Sequence, residues 1–226
     1  MKPLWLFILI PGLAFSVSIE EDYRKVFGSD YSRAEEWLTT HENRIKQYAD
    51  LYKLPASELK AIIFPELIRY NRVFDAIEIE SLKYLYVSEG KSYADFSVGY
   101  FQMKPSFAEM VEQEAVEKLD RDFLNRTGIG LWGRSPDIET ARKERVKRIT
   151  SIDGQLVYLC AFYKLCQQKF AGRDFASATG RIRFFATCYN AGYNLSDTAL
   201  LNFQLKKQFY SCNYSAVSAY YYENHN

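Results

Sequence analysis

The sequence predicts a mainly α-helical domain with little or no β-sheet. Apolar residues recur at three- and four-residue steps over long stretches, and alternating apolar–polar runs are few. No internal repeat, low-complexity segment or linker breaks the chain, so one domain is expected. From Tyr31 to Tyr52, Ala34, Trp37, Leu38, Ile45, Tyr48, Ala49 and Tyr52 form one stripe that a helix would bury. A second helix is expected from about Ser57, whose hydroxyl is placed to cap it, to Tyr70. Pro65 lies inside that segment and should bend it beside Glu66, at a cost of about 3 kcal/mol. A third helix fits Ala76 to Val87, followed by a polar turn over Ser88–Ser92. Further helices fit Ser106–Leu119, Asp137–Thr150, Gly154–Phe170 and Ala176–Ala191. Between Asn125 and Pro136, three glycines with Trp132 and Arg134 predict a loop at the rim of a cleft. The basic run Arg142–Arg148 reads as a solvated helix face, or alternatively as a surface drawn to anionic polymers.

The first residues have the layout of an export signal. Lys2 precedes an apolar stretch from Leu4 to Phe15, and small residues Ala14, Ser16 and Ser18 come before Glu20, Glu21 and Asp22. That stretch is too short for a bilayer anchor, so residues 1–18 are expected to be removed and residues 19–226 to form a soluble monomer outside the cytoplasm, in the periplasm or beyond. The remaining 208 residues (226 less 18) suffice for one large core. Without Lys2 the 29 basic residues become 28 and balance the 28 acids, which argues against nucleic acid as a partner. The 18 Tyr and 16 Phe supply rings that pack a core and also stack on sugar faces. Cys160, Cys166, Cys188 and Cys212 lack zinc-site spacing, and no metal or cofactor is expected. In an exported chain their even number suggests disulfides, with bridges from the 155–170 helix to the segments around Cys188 and Cys212 favoured among three pairings.

Three separated stretches carry candidate chemistry. Glu66 sits among Ile62, Ile63, Phe64, Leu67 and Ile68, an environment that disfavours its charged form and raises its pKa, as a general acid needs. Glu78, Glu80 and Glu89 lie in more polar stretches. In Ser97–Pro105, Gly99 permits close backbone approach and Gln102 offers both a donor and acceptors. In Tyr189–Gly192 the glycine also suits a left-handed helix cap.

The order of these stretches, an acid, then Gly-x-x-Gln-x-x-Pro, then Tyr-Asn-Ala-Gly, resembles the lysozyme-like family of soluble lytic transglycosylases over about residues 45–195. The resemblance implies a lysozyme-like helical domain with a cleft that takes the glycan strands of peptidoglycan. It implies Glu66 as the single catalytic acid and base, with Ser97, Gly99, Gln102, Tyr189 and Asn190 binding substrate and the Tyr189 hydroxyl contacting the acid. Glu66 would protonate the bond between N-acetylmuramic acid and N-acetylglucosamine, then take the proton of the muramic acid 6-hydroxyl as a 1,6-anhydro ring closes. The chain departs from the family's pattern at Leu67, where Ser is usual, at Phe101, where Met is usual, and at Val98, where a small residue is usual; the stretch between Glu66 and Gly99 is also longer. Two rivals follow: a lysozyme-type hydrolase, with Asp95 as a second carboxylate, and a glycan-binding scaffold that does not cut.

Overall fold

A computed structural model describes residues 21–133, 135–206 and 209–225. The expected signal segment and Arg134 lie outside these residues. The fold is mainly α, and no strand or sheet occurs among the described residues. Only two isolated bridges, Val98 with Met103 and Phe209 with Cys212, pair extended backbone.

Helices α1 (Tyr23–Phe27), α2 (Ser29–Thr40) and α3 (Glu42–Tyr52) open the chain. The single helix expected over 31–52 is therefore two, broken at His41, whose Nδ1 lies 2.8 Å from the Trp37 carbonyl. Helix α4 (Ala56–Arg69) runs through Pro65 without interruption. It starts after Pro55, whose carbonyl accepts from Glu58 N at 3.1 Å, so Ser57 does not cap it. With Ala61, Ile62, Ile63 and Phe64 wholly buried, α4 is apolar nearly all round and forms the centre of the domain.

Helix α5 (Arg72–Ser81) is capped by Asn71, which accepts from Val73 N and Phe74 N. It continues through a π-turn, Leu82–Tyr86, into the short α6 (Val87–Glu89). Leu82 and Tyr86 are buried in that turn, while Tyr84 is 74% exposed. Helices α7 (Pro105–Lys118), α8 (Arg121–Thr127), α9 (Ile138–Ile149) and α10 (Ile152–Lys169) follow, with α10 the second helix buried on most of its surface. Then come α11 (Ala178–Ala191), α12 (Asp197–Gln204) and α13 (Tyr214–Asn224). Helix α13 packs on α4 and α11: the Tyr221 ring stacks on Phe64 at 4.1 Å, and the Tyr214 hydroxyl donates to the Ile62 carbonyl at 3.0 Å.

The basic run is a solvated face only in part. Arg145 is buried, donates to Glu112 Oε2 through Nε at 3.0 Å and Nη2 at 2.6 Å, and reaches the Tyr86 hydroxyl through Nη1. Arg142 donates to the carbonyls of Val87 and Ser88, and Arg148 lies over the Trp132 ring at 4.5 Å. Lys143 and Lys147 remain in solvent. A fully satisfied network of this kind locks α9 to α7, because removing either partner strands a buried charge.

The expected disulfides do not form, and Cys160, Cys166, Cys188 and Cys212 are buried thiols. Burial pushes the Cys166 thiol well up, and the adjacent Cys188 thiol adds to that shift. No helix among the described residues is long and apolar enough to cross a membrane, and no group of His, Cys, Asp and Glu among them could hold a metal ion.

Candidate active site

Glu66 lies in the last turn of α4 and is 2% exposed. Its place follows from the sequence, because Ile62, Ile63, Leu67 and Ile68 pull that stretch of helix into the core. The guanidinium of Arg69, one turn on, brings Nη2 to 2.5 Å from Glu66 Oε2. The contact is a charge contact off the hydrogen-bonding direction, and Oε2 has no aligned donor. Burial raises the pKa of Glu66, while the charge of Arg69 and the hydroxyl of Tyr214 oppose that rise without cancelling it. Burial thus favours the protonated carboxyl, the form a proton donor needs.

The second stretch forms a tight turn. Val98 and Met103 exchange backbone hydrogen bonds of 3.0 Å, and Gln102 N donates to the Gly99 carbonyl at 3.0 Å. Gly99 has φ +74 and Gln102 φ +48. A Cβ on Gly99 would lie 2.0 Å from Gln155 Nε2 and 2.9 Å from the Ile149 carbonyl, so the turn requires glycine on two counts. Gln155, which is buried, donates to the carbonyls of Val98 at 3.0 Å and Ile149 at 2.8 Å. Asp75 clamps the turn from the other side, its Oδ1 accepting from Gly99 N at 2.6 Å. The Gln102 side chain folds back on its own turn, donating to the Gly99 carbonyl at 2.9 Å, and Ser97 sits half-buried just before it.

Tyr189 joins the three stretches. It lies in the last turn of α11, packs edge-on against Phe107 and Phe162 at 5.3 Å, and donates its hydroxyl to the Phe101 carbonyl at 2.7 Å. Its hydroxyl is pushed well up by burial and then by the charge of Glu66, which places it within electrostatic reach of the acid. The Tyr189 hydroxyl therefore serves the Gly99 turn, while the Tyr214 hydroxyl, which donates to the Ile62 carbonyl, is the one that lowers the pKa of the carboxyl. Asn190 lines a small crevice with Asn213 and Tyr214. Gly192 ends α11 at φ +113 and ψ +124, a glycine conformation outside the left-handed helical region expected for the cap.

Asp95 accepts from Ser106 N at 2.8 Å and from the Ser106 hydroxyl at 2.6 Å, so both oxygens hold the start of α7. The carboxylates nearer the site are on α5. Burial raises the pKa of Asp75, opposed by the Gly99 amide and the Tyr70 hydroxyl. Burial also raises the pKa of Glu78, reinforced by Asp75 and opposed by Arg69. Sequence reasoning missed Asp75, Gln155, Arg69 and Tyr214; the first two are single polar residues in stretches with an ordinary helical pattern.

These features define a mainly helical protein with buried Glu66 and Asp75 where three distant stretches meet. Comparison of the chain with protein-family profiles, with curated proteins and with solved structures finds no match.

Proposed function

We propose that the protein is a peptidoglycan lytic transglycosylase, exported to the cell envelope, with Glu66 as acid and then base. The observation that carries this reading is the convergence of three stretches on one place: Glu66 from α4, the Gly99 turn, and Tyr189, which binds the turn and senses the acid. The protonated Glu66 gives its proton to the glycosidic oxygen between N-acetylmuramic acid and N-acetylglucosamine. The resulting carboxylate accepts the proton of the 6-hydroxyl as its oxygen bonds to C1, yielding a 1,6-anhydro end and regenerating the acid. Burial, which favours the protonated carboxyl, supports the first step. For substrate to reach the carboxyl, Arg69 must swing outward. Its side chain is 38% exposed.

A second reading is favoured by the Arg69 contact itself. If the guanidinium stays in place, the acid is masked and the protein is a glycan-binding scaffold. Digestion of purified peptidoglycan followed by mass spectrometry separates the readings. Anhydro ends that disappear in Glu66→Gln support the transglycosylase, reducing ends indicate a hydrolase, and binding without cleavage indicates the scaffold.

A further inference from the structure

Helix α5 and its continuation through the π-turn and α6, Arg72–Glu89, turn an apolar side to solvent. Val73, Phe74, Ile77, Tyr84 and Leu85 are all exposed there. The inward side is taken by Asp75, Leu82 and Tyr86, which are buried. Among the described residues α5 makes its principal contacts with its own π-turn, so little of the domain packs on it. Five large apolar side chains in water along one helical segment form a patch of the kind that marks an interaction surface.

The charges along the same segment identify the occupant. Its exposed charged residues are Arg72, Glu80, Lys83 and Glu89, so their signs run plus, minus, plus, minus. Read backwards, the signs run minus, plus, minus, plus. A second copy laid antiparallel therefore sets Arg72 against Glu89 and Glu80 against Lys83, each charge against its opposite. Both pairs are centred beside Ser81, so one register satisfies them together and brings Ile77 to Tyr84 of the second copy. A parallel copy in register sets like charges together instead. Arg72 and Glu89 pair with no described residue, which leaves both free for this contact. Glu80 and Lys83 hold each other at 2.6 Å with side chains 60% and 53% exposed, so they can exchange partners. Antiparallel helix dipoles favour the same arrangement. An anionic lipid surface, by contrast, meets alternating acids and bases and gains nothing from them.

We infer that the outward side of α5 is a contact between two copies of this chain, packed antiparallel about a two-fold axis near Ser81. The contact is isologous, with the same patch presented by both copies. One helical segment per copy buries less than the ~1,600 Å² of a standard interface, so the association is weak, with a Kd in the micromolar range or above. The protein is then a monomer when dilute and a dimer when concentrated, in place of the monomer expected from the sequence. The contact also reaches inward. Asp75, on the buried side of the same helix, accepts from Gly99 N, so seating α5 between two domains steadies the Gly99 turn. No part of this contact depends on the reaction at Glu66.

Sedimentation velocity over a protein concentration series from about 1 to about 500 μM tests this. A reversible shift from monomer to dimer is expected, and Ile77→Glu should abolish it while the near-UV circular dichroism stays unchanged. Arg72→Glu and Glu89→Arg should each weaken association about tenfold, because the two-fold axis makes each change act twice. Mixing those two variants, or combining both changes in one chain, should restore association, which a general loss of folding cannot do. A monomer at every concentration, or a dimer indifferent to Ile77→Glu and to both charge reversals, would overturn the inference. So would a monomer that sediments with phosphatidylcholine vesicles unless Ile77→Glu is present, since that outcome gives the face to lipid.

Discussion

Glu66 is costly to the fold in its charged form. Its native pKa is raised, so the folded chain retains a proton that the unfolded chain releases. The associated stability is complete below the ordinary carboxyl range and is lost as pH rises through the raised native value. Glu66→Gln copies the protonated state, and it should gain about 1 kcal/mol over the parent above that value. Melting curves over a pH series from about 4 to about 9 should show the two proteins converging at the acidic end and separating at the alkaline end. A gap of the opposite sign at the alkaline end, with the parent the more stable protein, would mean that Arg69 holds the carboxylate ionised. Glu66 was legible in the sequence because four branched or aliphatic neighbours announce burial. Arg145 was not, since a guanidinium in a basic run has the same pattern whether it meets water or Glu112.

At the level of elements, α5 differs from its neighbours. Among the described residues its principal contacts are with its own π-turn continuation, and Val73, Phe74 and Ile77 are 69%, 65% and 61% exposed. What holds it against the domain includes Asp75, through the Gly99 amide and the Tyr70 hydroxyl at 3.4 Å. Amide hydrogen exchange should therefore be faster across Val73–Ser81 than across Ile62–Leu67 of α4, and Asp75→Ala should speed it further while leaving α4 protected. Equal protection of the two helices would show that α5 opens only with the whole domain. The sequence placed a helix here from its period, but nothing in that period indicated which face would stay in solvent. The longer interval between Glu66 and Gly99 houses this helix, and it supplies both Asp75 and Glu78 near the site.

Over the whole molecule, the C-terminal residues complete what the three stretches begin. Helix α13 covers Phe64 with Tyr221 and places Tyr214 beside the acid, although it lies beyond the region that resembles the transglycosylase family. Its sequence, with tyrosines on every side, has no clear apolar stripe, which is why period reading left it unassigned. Removal of residues 214–226 should expose the α4 core and cost several kcal/mol, comparable to the loss of more than one large core side chain. Loss of the cooperative urea transition would confirm this, whereas an unchanged midpoint would reduce α13 to an appendage.

The π-turn at Leu82–Tyr86 has a consequence for which changes in length the chain accepts. A π-turn houses one residue more than an α-turn while leaving the helical phase on either side as it would be without that residue. The segment thus holds a spare position, and deletion of Tyr84, exposed and unneeded for the inward pair Leu82 and Tyr86, should convert the turn to ordinary helix and keep Asp75 aimed at Gly99. The same one-residue loss inside α4 would rotate Glu66 away from Tyr189 and Tyr214. Comparing the melting temperatures of the two deletions would locate where this chain has slack and where it has none.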